Sequence, residues 1–243
     1  MEKQKDEQIK LKIKELVSQY PAYGYRKIYS ILRFRCGFKV YRNKVYLLMK
    51  ELKLLLPPTT RNKTLFKGVG IALNVEAHQS NRLWGIDMTQ IWCGNDGWGY
   101  LHAVIDHYDK TLLGYHFSTS CKAIGAVMAI SEAASRRPTQ ELELRSDNGC
   151  HYGARIFREE LRRIGINHTR TMINTPKGNA VIERFFRSLK QECVWQHGFK
   201  NFAEAKPVID DWIEEYNQER PHQTLGYVTP AAFYAEKSLQ NIA

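Results

Sequence analysis

Three carboxylates in this 243-residue sequence stand where they could act together: Asp87, Asp147 and Glu183. Asp87 lies inside Leu-Trp-Gly-Ile-Asp-Met-Thr-Gln-Ile-Trp, whose alternation puts Gly85, Asp87 and Thr89 on one face of a strand and Trp84, Ile86 and Met88 on the other. A carboxylate in an otherwise apolar strand is costly unless something compensates it, and a cation is the obvious candidate. Asp147 directly follows the strand-like Glu-Leu-Glu-Leu-Arg-Ser, at a carboxyl strand end where open α/β sheets place their sites. Asn148-Gly149 then turns the chain. Thirty-five residues separate Asp147 from Glu183, which lies early in a long helical run. Such a set suits displacement at a phosphodiester, which builds negative charge on an attacking and a leaving oxygen. Two divalent cations about 3.5–4 Å apart stabilise both and lower the pKa of a bound water. Hard cations such as Mg²⁺ take carboxylate and water ligands. Each residue also has an ordinary role open to it: a structural hydrogen-bonder in a strand, a turn residue before Asn-Gly, a solvated glutamate on a helix.

The helix of Glu183 is more informative. Val181, Ile182, Phe185 and Leu189 form its core stripe, and Glu183, Arg187 and Lys190 share an arc away from it. One carboxylate with two cations suits a face that meets both metal and phosphate. It equally suits an i,i+4 ion pair of Glu183 with Arg187. The preceding Asn174-Thr175-Pro176-Lys177-Gly178-Asn179 is polar, as a loop that grips a substrate would be.

The elements that must position these residues follow from periodicity. Three strands are expected at about 83–92, 98–106 and 112–119, joined by the turn sequences Gly94-Asn95-Asp96-Gly97 and Asp109-Lys110, so they pair antiparallel. A helix follows at 122–135, a strand at 141–146, a helix at 153–164, a strand at 166–170, and helices at 179–196 and 202–217. Strands first and then alternating helix and strand predict an α/β fold, a mixed five-stranded sheet flanked by helices. The core domain is expected over 81–200, with a C-terminal helical extension over 201–243.

Ahead of it stands a head of different composition. Residues 1–67 hold 17 Lys and Arg against 5 Asp and Glu, so the whole net charge of +11 resides there. Such asymmetry points to a polyanion-binding head on a near-neutral body. Residues 1–56 predict three helices, about 5–18, 25–34 and one capped near Asn43. On the third, Arg42, Asn43, Tyr46 and Lys50 share the face opposite Val45, Leu48, Met49 and Leu52. That face suits a DNA major groove or a phosphate track, and also the solvated side of a helical hairpin. Residues 57–80, opened by Pro57-Pro58, lack periodicity and are expected to be a linker. No apolar stretch of about 18 residues predicts a membrane span, and the charged N-terminus is unlike a secretory signal. Five scattered cysteines without a C-x-x-C pair argue for a reducing compartment and against a zinc or disulfide framework.

Trp-Gly-Ile-Asp-Met-Thr, Arg-Ser-Asp-Asn-Gly-Cys-His-Tyr and Asn-Thr-Pro-Lys-Gly-Asn-Ala-Val-Ile-Glu-Arg-Phe-Phe-Arg-Ser-Leu-Lys together resemble the DDE catalytic core shared by retroviral integrases and insertion-sequence transposases. The gap before Glu183 and the placing of Lys190 fit that core. Tyr216-Asn217-Gln218-Glu219-Arg220-Pro221-His222, with Leu225 and Pro230, resembles the C-terminal signature of insertion-sequence transposases. Tyr20-Pro21-Ala22-Tyr23-Gly24-Tyr25-Arg26-Lys27-Ile28 is similar to the helix-turn-helix that precedes their core. The resemblance implies an RNase H-like fold behind a helix-turn-helix domain. It implies two Mg²⁺ ions, or Mn²⁺ in their place, on Asp87, Asp147 and Glu183. It also implies DNA contacts at Lys190, Arg187, Lys177 and Asn179, and shaping of the loop after Asp147 by Asn148 and Tyr152. The activity implied is cutting and joining of double-stranded DNA, transposon ends and target, by a dimer or higher oligomer in the bacterial cytoplasm at the nucleoid. In the subfamily it most resembles, the catalytic reading frame is often fused to an upstream helix-turn-helix frame, an expected partner product. A retroviral His-His-Cys-Cys zinc module does not precede the core. Two other functions fit the same core: a non-catalytic DNA-binding regulator and a metal-dependent nuclease without joining activity.

Overall fold

The computed structural model describes residues 2–57, 77–171 and 179–240. Most of the expected linker, and Lys177, lie outside these described residues. The chain divides into two compact units. One joins the N-terminal helices with Pro221–Val228; the other runs from the sheet to Arg220 and resumes at Thr229.

In the first unit, α1 (Glu2–Gln19), α2 (Tyr25–Ser30) and α3 (Arg42–Glu51) enclose a core in which Ile13, Ile28, Leu32, Val45 and Met49 are fully buried. A π-type turn, Ile31–Arg35, extends α2 and ends where the Cys36 N–H donates to the Ile31 carbonyl. Lys10–Glu51 and Lys44–Asp6 ion pairs tie α1 to α3. Asn43, expected as the cap of α3, is instead its second residue. The helix starts at Arg42 after an extended Tyr41, without any side-chain cap.

In the second unit the strands are β1 (Leu83–Trp92), β2 (Trp98–Asp106), β3 (Leu112–Ser118), β4 (Glu143–Ser146) and β5 (Asn167–Arg170), in the order β3-β2-β1-β4-β5. β1 pairs antiparallel with β2 and β2 with β3, while β1–β4 and β4–β5 are parallel. Alternation loads both faces. Leu101, Ala103 and Ile105 of β2 face α7 (Ala180–Glu192) and α8 (Phe202–Gln218). Trp84, Ile86, Val104 and Leu144 join α4 (Ala123–Arg136) and α6 (Arg155–Ile164) on the other face. The approach of α4 to β3 depends on Gly114, where a Cβ would stand 2.3 Å from the Ala129 carbonyl oxygen. Small residues on the facing side of the helix, Ala126, Ala129 and Ala133, complete that contact.

The expected mixed five-stranded α/β sheet, RNase H-like, is present. Three details differ. β4 starts at Glu143, because Glu141 takes a left-handed conformation (φ 57°) that ends extended pairing. The helix expected at 153–164 is two pieces, α5 (Cys150–Gly153) and α6, broken at an extended Ala154. A further helix, α9 (Pro230–Gln240), follows Thr229, whose hydroxyl accepts from the Ala232 N–H at 3.2 Å. Thr-Pro at a cap and first helical position is the sequence signal for such a start.

Candidate active site

Asp87 and Asp147 are brought level by strand register. The parallel pairing of β1 with β4 runs Leu83↔Glu143, Trp84↔Leu144, Gly85↔Arg145. Continued two residues, it sets Asp87 against Asp147, one still inside the central strand and the other just past the end of its neighbour. Side chains two residues apart share a face, so both carboxylates extend from the side of the sheet that Gly85 leaves open.

Asp87 is half-buried, and its Oδ1 accepts the Met88 N–H, at 2.8 Å. Burial is the main influence on its acidity. The charges of Asp147 and Glu183 add to it, and the Met88 N–H opposes it; the outcome is a carboxyl pushed up to about 7. The charge of Glu183 thus reaches Asp87 from α7. Asp147 is exposed; its Oδ1 accepts the Gly149 N–H at 2.8 Å, closing the turn, and the Asn148 amide donates to the Thr171 carbonyl at 2.9 Å. Tyr152, on α5, is buried, and its hydroxyl has no hydrogen-bond partner among the described residues. Burial and the charges of Asp87 and Asp147 raise that hydroxyl well above its ordinary value.

Glu183 lies in the first turn of α7, exposed. Two contacts from the segment Tyr216–Arg220 reach α7, and a third ties α8 to the sheet. Tyr216 packs edge-on to Phe185, with centroids 4.9 Å apart. The Arg220 guanidinium grips the Glu192 carboxylate through two bonds, at 2.7 and 2.8 Å, both side chains buried. The Asn217 amide both accepts from and donates to the Leu112 backbone at 2.9 Å, as a neighbouring strand would, fixing α8 to the start of β3. The C-terminal signature thus has a structural meaning: it clamps the helix that carries Glu183. Sequence reasoning registered these residues only as a signature.

The remaining candidates are placed as follows. Arg187 is exposed and Lys190 half-buried on α7, and the Glu183–Arg187 pairing allowed by spacing is not among the ion pairs of the described residues. Asn179, just before α7, is buried, and its Nδ2 donates to the Ile86 carbonyl at 3.2 Å. Lys177 lies outside the described residues. Arg42, Asn43, Tyr46 and Lys50 are all exposed on α3 in the first unit. The donor set at Asp87, Asp147 and Glu183 is all carboxylate, the chemistry of a hard cation. Among the described residues no three His, Cys, Asp or Glu side chains stand close enough together to hold a metal ion. An ion that keeps several waters needs only one or two carboxylates.

Models of the integrase core domain match residues 77–176 and 164–230, and a model of an HTH-like domain matches residues 3–63. The transposase InsD for insertion element IS2A/D/F/H/I/K of Escherichia coli is 24% identical over 251 aligned positions, covering 98% of this chain and 82% of that protein. An uncharacterized 39.2 kDa protein of insertion element IS476 from Xanthomonas euvesicatoria is 28% identical over 227 positions, 93% of this chain; the chain spans 64% of that protein's length. The catalytic core domain of BIV integrase superposes with a TM-score of 0.51 at 19% identity, over 67% of this chain and 99% of that one. A chain of the simian T-cell lymphotropic virus intasome, solved in complex with PP2A regulatory subunit B56 gamma, does so with a TM-score of 0.58 at 13% identity, over 90% and 73%. These likenesses agree with the strand order and the helices on both faces of the sheet. With integrase-core models together spanning residues 77–230 and the domain ahead of them also matched, the chain belongs to the integrase-core family.

Proposed function

We propose that this protein is a DDE transposase, a polynucleotidyl transferase that cleaves DNA at transposon ends and joins those ends to a target duplex. What supports this reading is the integrase-core match together with Asp87 on β1, Asp147 just past the end of β4 and Glu183 in the first turn of α7. These three would hold two Mg²⁺ ions, with Mn²⁺ as a substitute. When bound, such ions stabilise charge on the attacking and leaving oxygens of a phosphodiester and lower the pKa of a bound water. The chain's own part is to hold three carboxylates at one place, half-bury one of them, and offer Arg187 and Lys190 beside Glu183 to substrate phosphates. Lys177, on the resemblance, adds a further contact. The N-terminal helices would supply the main grip on double-stranded DNA through Arg42, Asn43, Tyr46 and Lys50, in a dimer or higher oligomer that pairs two ends. An upstream-frame helix-turn-helix product is a further proposed partner. No helix among the described residues is long and apolar enough to cross a membrane, and a bacterial cytoplasmic location at the nucleoid is proposed with the function.

The test is Mg²⁺-dependent cutting and joining of end DNA by the full chain, with Glu183→Gln alongside. Cleavage and joining that both vanish in Glu183→Gln and without divalent ion support the proposal. Cleavage without joining would leave a nuclease; DNA binding with neither would leave a regulator.

Phosphate contacts release counterions, so binding should weaken steeply with salt. Arg42→Ala and Lys50→Ala are each expected to flatten the slope of log affinity against log salt by about 1, measured by fluorescence anisotropy. An unchanged slope in both would remove α3 from the interface. Side-chain replacement is the right probe here. Deleting the head would also strip Pro221–Val228 of the unit it belongs to.

A further inference from the structure

Asn179 occupies the position before the first turn of α7, where asparagine is among the best caps, yet its side chain makes no capping hydrogen bond. It turns into the sheet instead. The ladder of β1 with β4 stops at Gly85, and the next carbonyl, of Ile86, receives the Asn179 Nδ2–H at 3.2 Å. Ile86 immediately precedes Asp87. The Asn179 carbonyl in turn accepts the Glu183 N–H at 3.2 Å, the first bond of the helix that presents Glu183. One residue therefore joins the backbone beside one carboxylate to the backbone of another.

The socket for this amide is built by two further residues. A Cβ at Gly85 would stand 2.7 Å from Asn179 Oδ1 and 2.6 Å from His107 Nε2, so only glycine leaves room for both. His107 is held from the far side by its own N–H, which donates to the Leu83 carbonyl at 2.9 Å. Burial, ahead of the nearby Lys110 and Arg145, lowers this imidazole to about 3, so it is neutral and carries one N–H. Asn179 Oδ1 and His107 Nε2 are both buried without a hydrogen-bond partner among the described residues, and both lie over Gly85.

We propose that Asn179, wedged between Gly85 and His107, is a positioning residue that sets the separation of the Asp87 and Glu183 carboxylates and hence their affinity for divalent cations. The proposal rests on the metal-binding reading of those carboxylates. A hydrogen-bonded residue behind metal ligands typically accounts for about 10–100-fold in metal affinity. Asn179→Ala removes the link to Ile86. Asn179→Asp keeps shape and capping ability but replaces the donor with an acceptor facing the Ile86 carbonyl, and stands in if the alanine variant does not fold.

The experiment is titration of the full chain with Mn²⁺ alone, followed by electron paramagnetic resonance without DNA, with melting temperature recorded in parallel. Leu161→Ala, a core truncation in α6 on the opposite face of the sheet, serves as a stability-matched control. Mn²⁺ affinity about tenfold or more lower in either Asn179 variant, against unchanged affinity in Leu161→Ala, supports the latch. Variants that bind Mn²⁺ as tightly as the parent protein would overturn it while leaving the carboxylate reading intact. A parent protein that takes up no Mn²⁺ would overturn that reading and the latch with it.

Discussion

Asp87→Asn is expected to abolish DNA cleavage and joining and, at the same time, to make the metal-free protein harder to melt. The two effects share one cause. Asp87 is held half-buried beside Asp147 and Glu183, and its carboxyl is pushed up to about 7. In the unfolded chain the same group titrates near 3.8. An acid whose folded-state value is raised binds more protons folded than unfolded, so stability falls as pH rises from about 4 to about 7 and is level above that. The full shift corresponds to at most about 4 kcal/mol, and on the order of 2–4 is expected. Asparagine keeps the shape and can still accept the Met88 N–H, but it carries no charge. Melting without divalent ion should therefore rise by roughly 5–10 °C at pH 8, from about 2–4 °C per kcal/mol in a chain of this size. The gain should shrink toward zero at pH 4. Mg²⁺ should stabilise the parent protein and leave the variant nearly unmoved, while DNA affinity stays close to that of the parent. A variant that cleaves normally would remove Asp87 from the mechanism. A variant less stable than the parent at pH 8 would mean that the carboxylate cluster is not strained.

Arg137→Ala is expected to cause the largest loss of stability. Arg137, at the end of α4, pairs with Asp109 at 3.0 Å, its side chain 8% and that of Asp109 0% exposed. It also donates to Thr111 Oγ1 at 3.2 Å, and its guanidinium lies 3.1 Å from the centre of the Tyr234 ring on α9. Beside this pair, Asp106 is fully buried and accepts the N–H groups of Asn81, Tyr108 and Asp109 and the Trp84 indole. Burial, with Asp109 adding to it, raises the Asp106 carboxyl to about 6. Removing the arginine leaves a buried carboxylate without its cation next to another carboxylate. Breaking such a pair costs about 3–5 kcal/mol, a large part of the roughly 5–15 that holds a domain together. The expected loss is on the order of 10 °C in melting temperature, read by calorimetry. Adding Asp109→Asn should return part of it, since the orphaned charge goes too; the double-variant cycle measures the coupling. A single variant within about 1 kcal/mol of the parent would show that the pair contributes little.

The two networks differ in how far the sequence announces them. The triad could be found because each carboxylate sits in a pattern with local meaning: alternation around Asp87, a strand end before Asp147, a helical stripe around Glu183. The Arg137–Asp109 pair carries no such mark, because an arginine after a helix and an aspartate in a turn are each the commonest of surface residues. The Asn217 and Arg220 contacts were visible as a signature and not as a clamp. His107 gave no signal at all, since a histidine just beyond the end of β2 has no periodicity to betray burial.

The sequence alone determined the alternation that faces the sheet, the helical stripes of α3 and α7, and the concentration of charge in the first 67 residues. These are properties of short windows, where period 2 and period 3.6 are enforced by backbone geometry. Only the tertiary structure decided that Asp87 stands against Asp147, which follows from a parallel register between strands 60 residues apart. The same holds for Asn179, whose amide points into the sheet rather than capping its own helix. A free cap and a strand carbonyl left without a ladder partner compete for the same side chain. The winner depends on whether Gly85 and His107 make room, and no local window contains both.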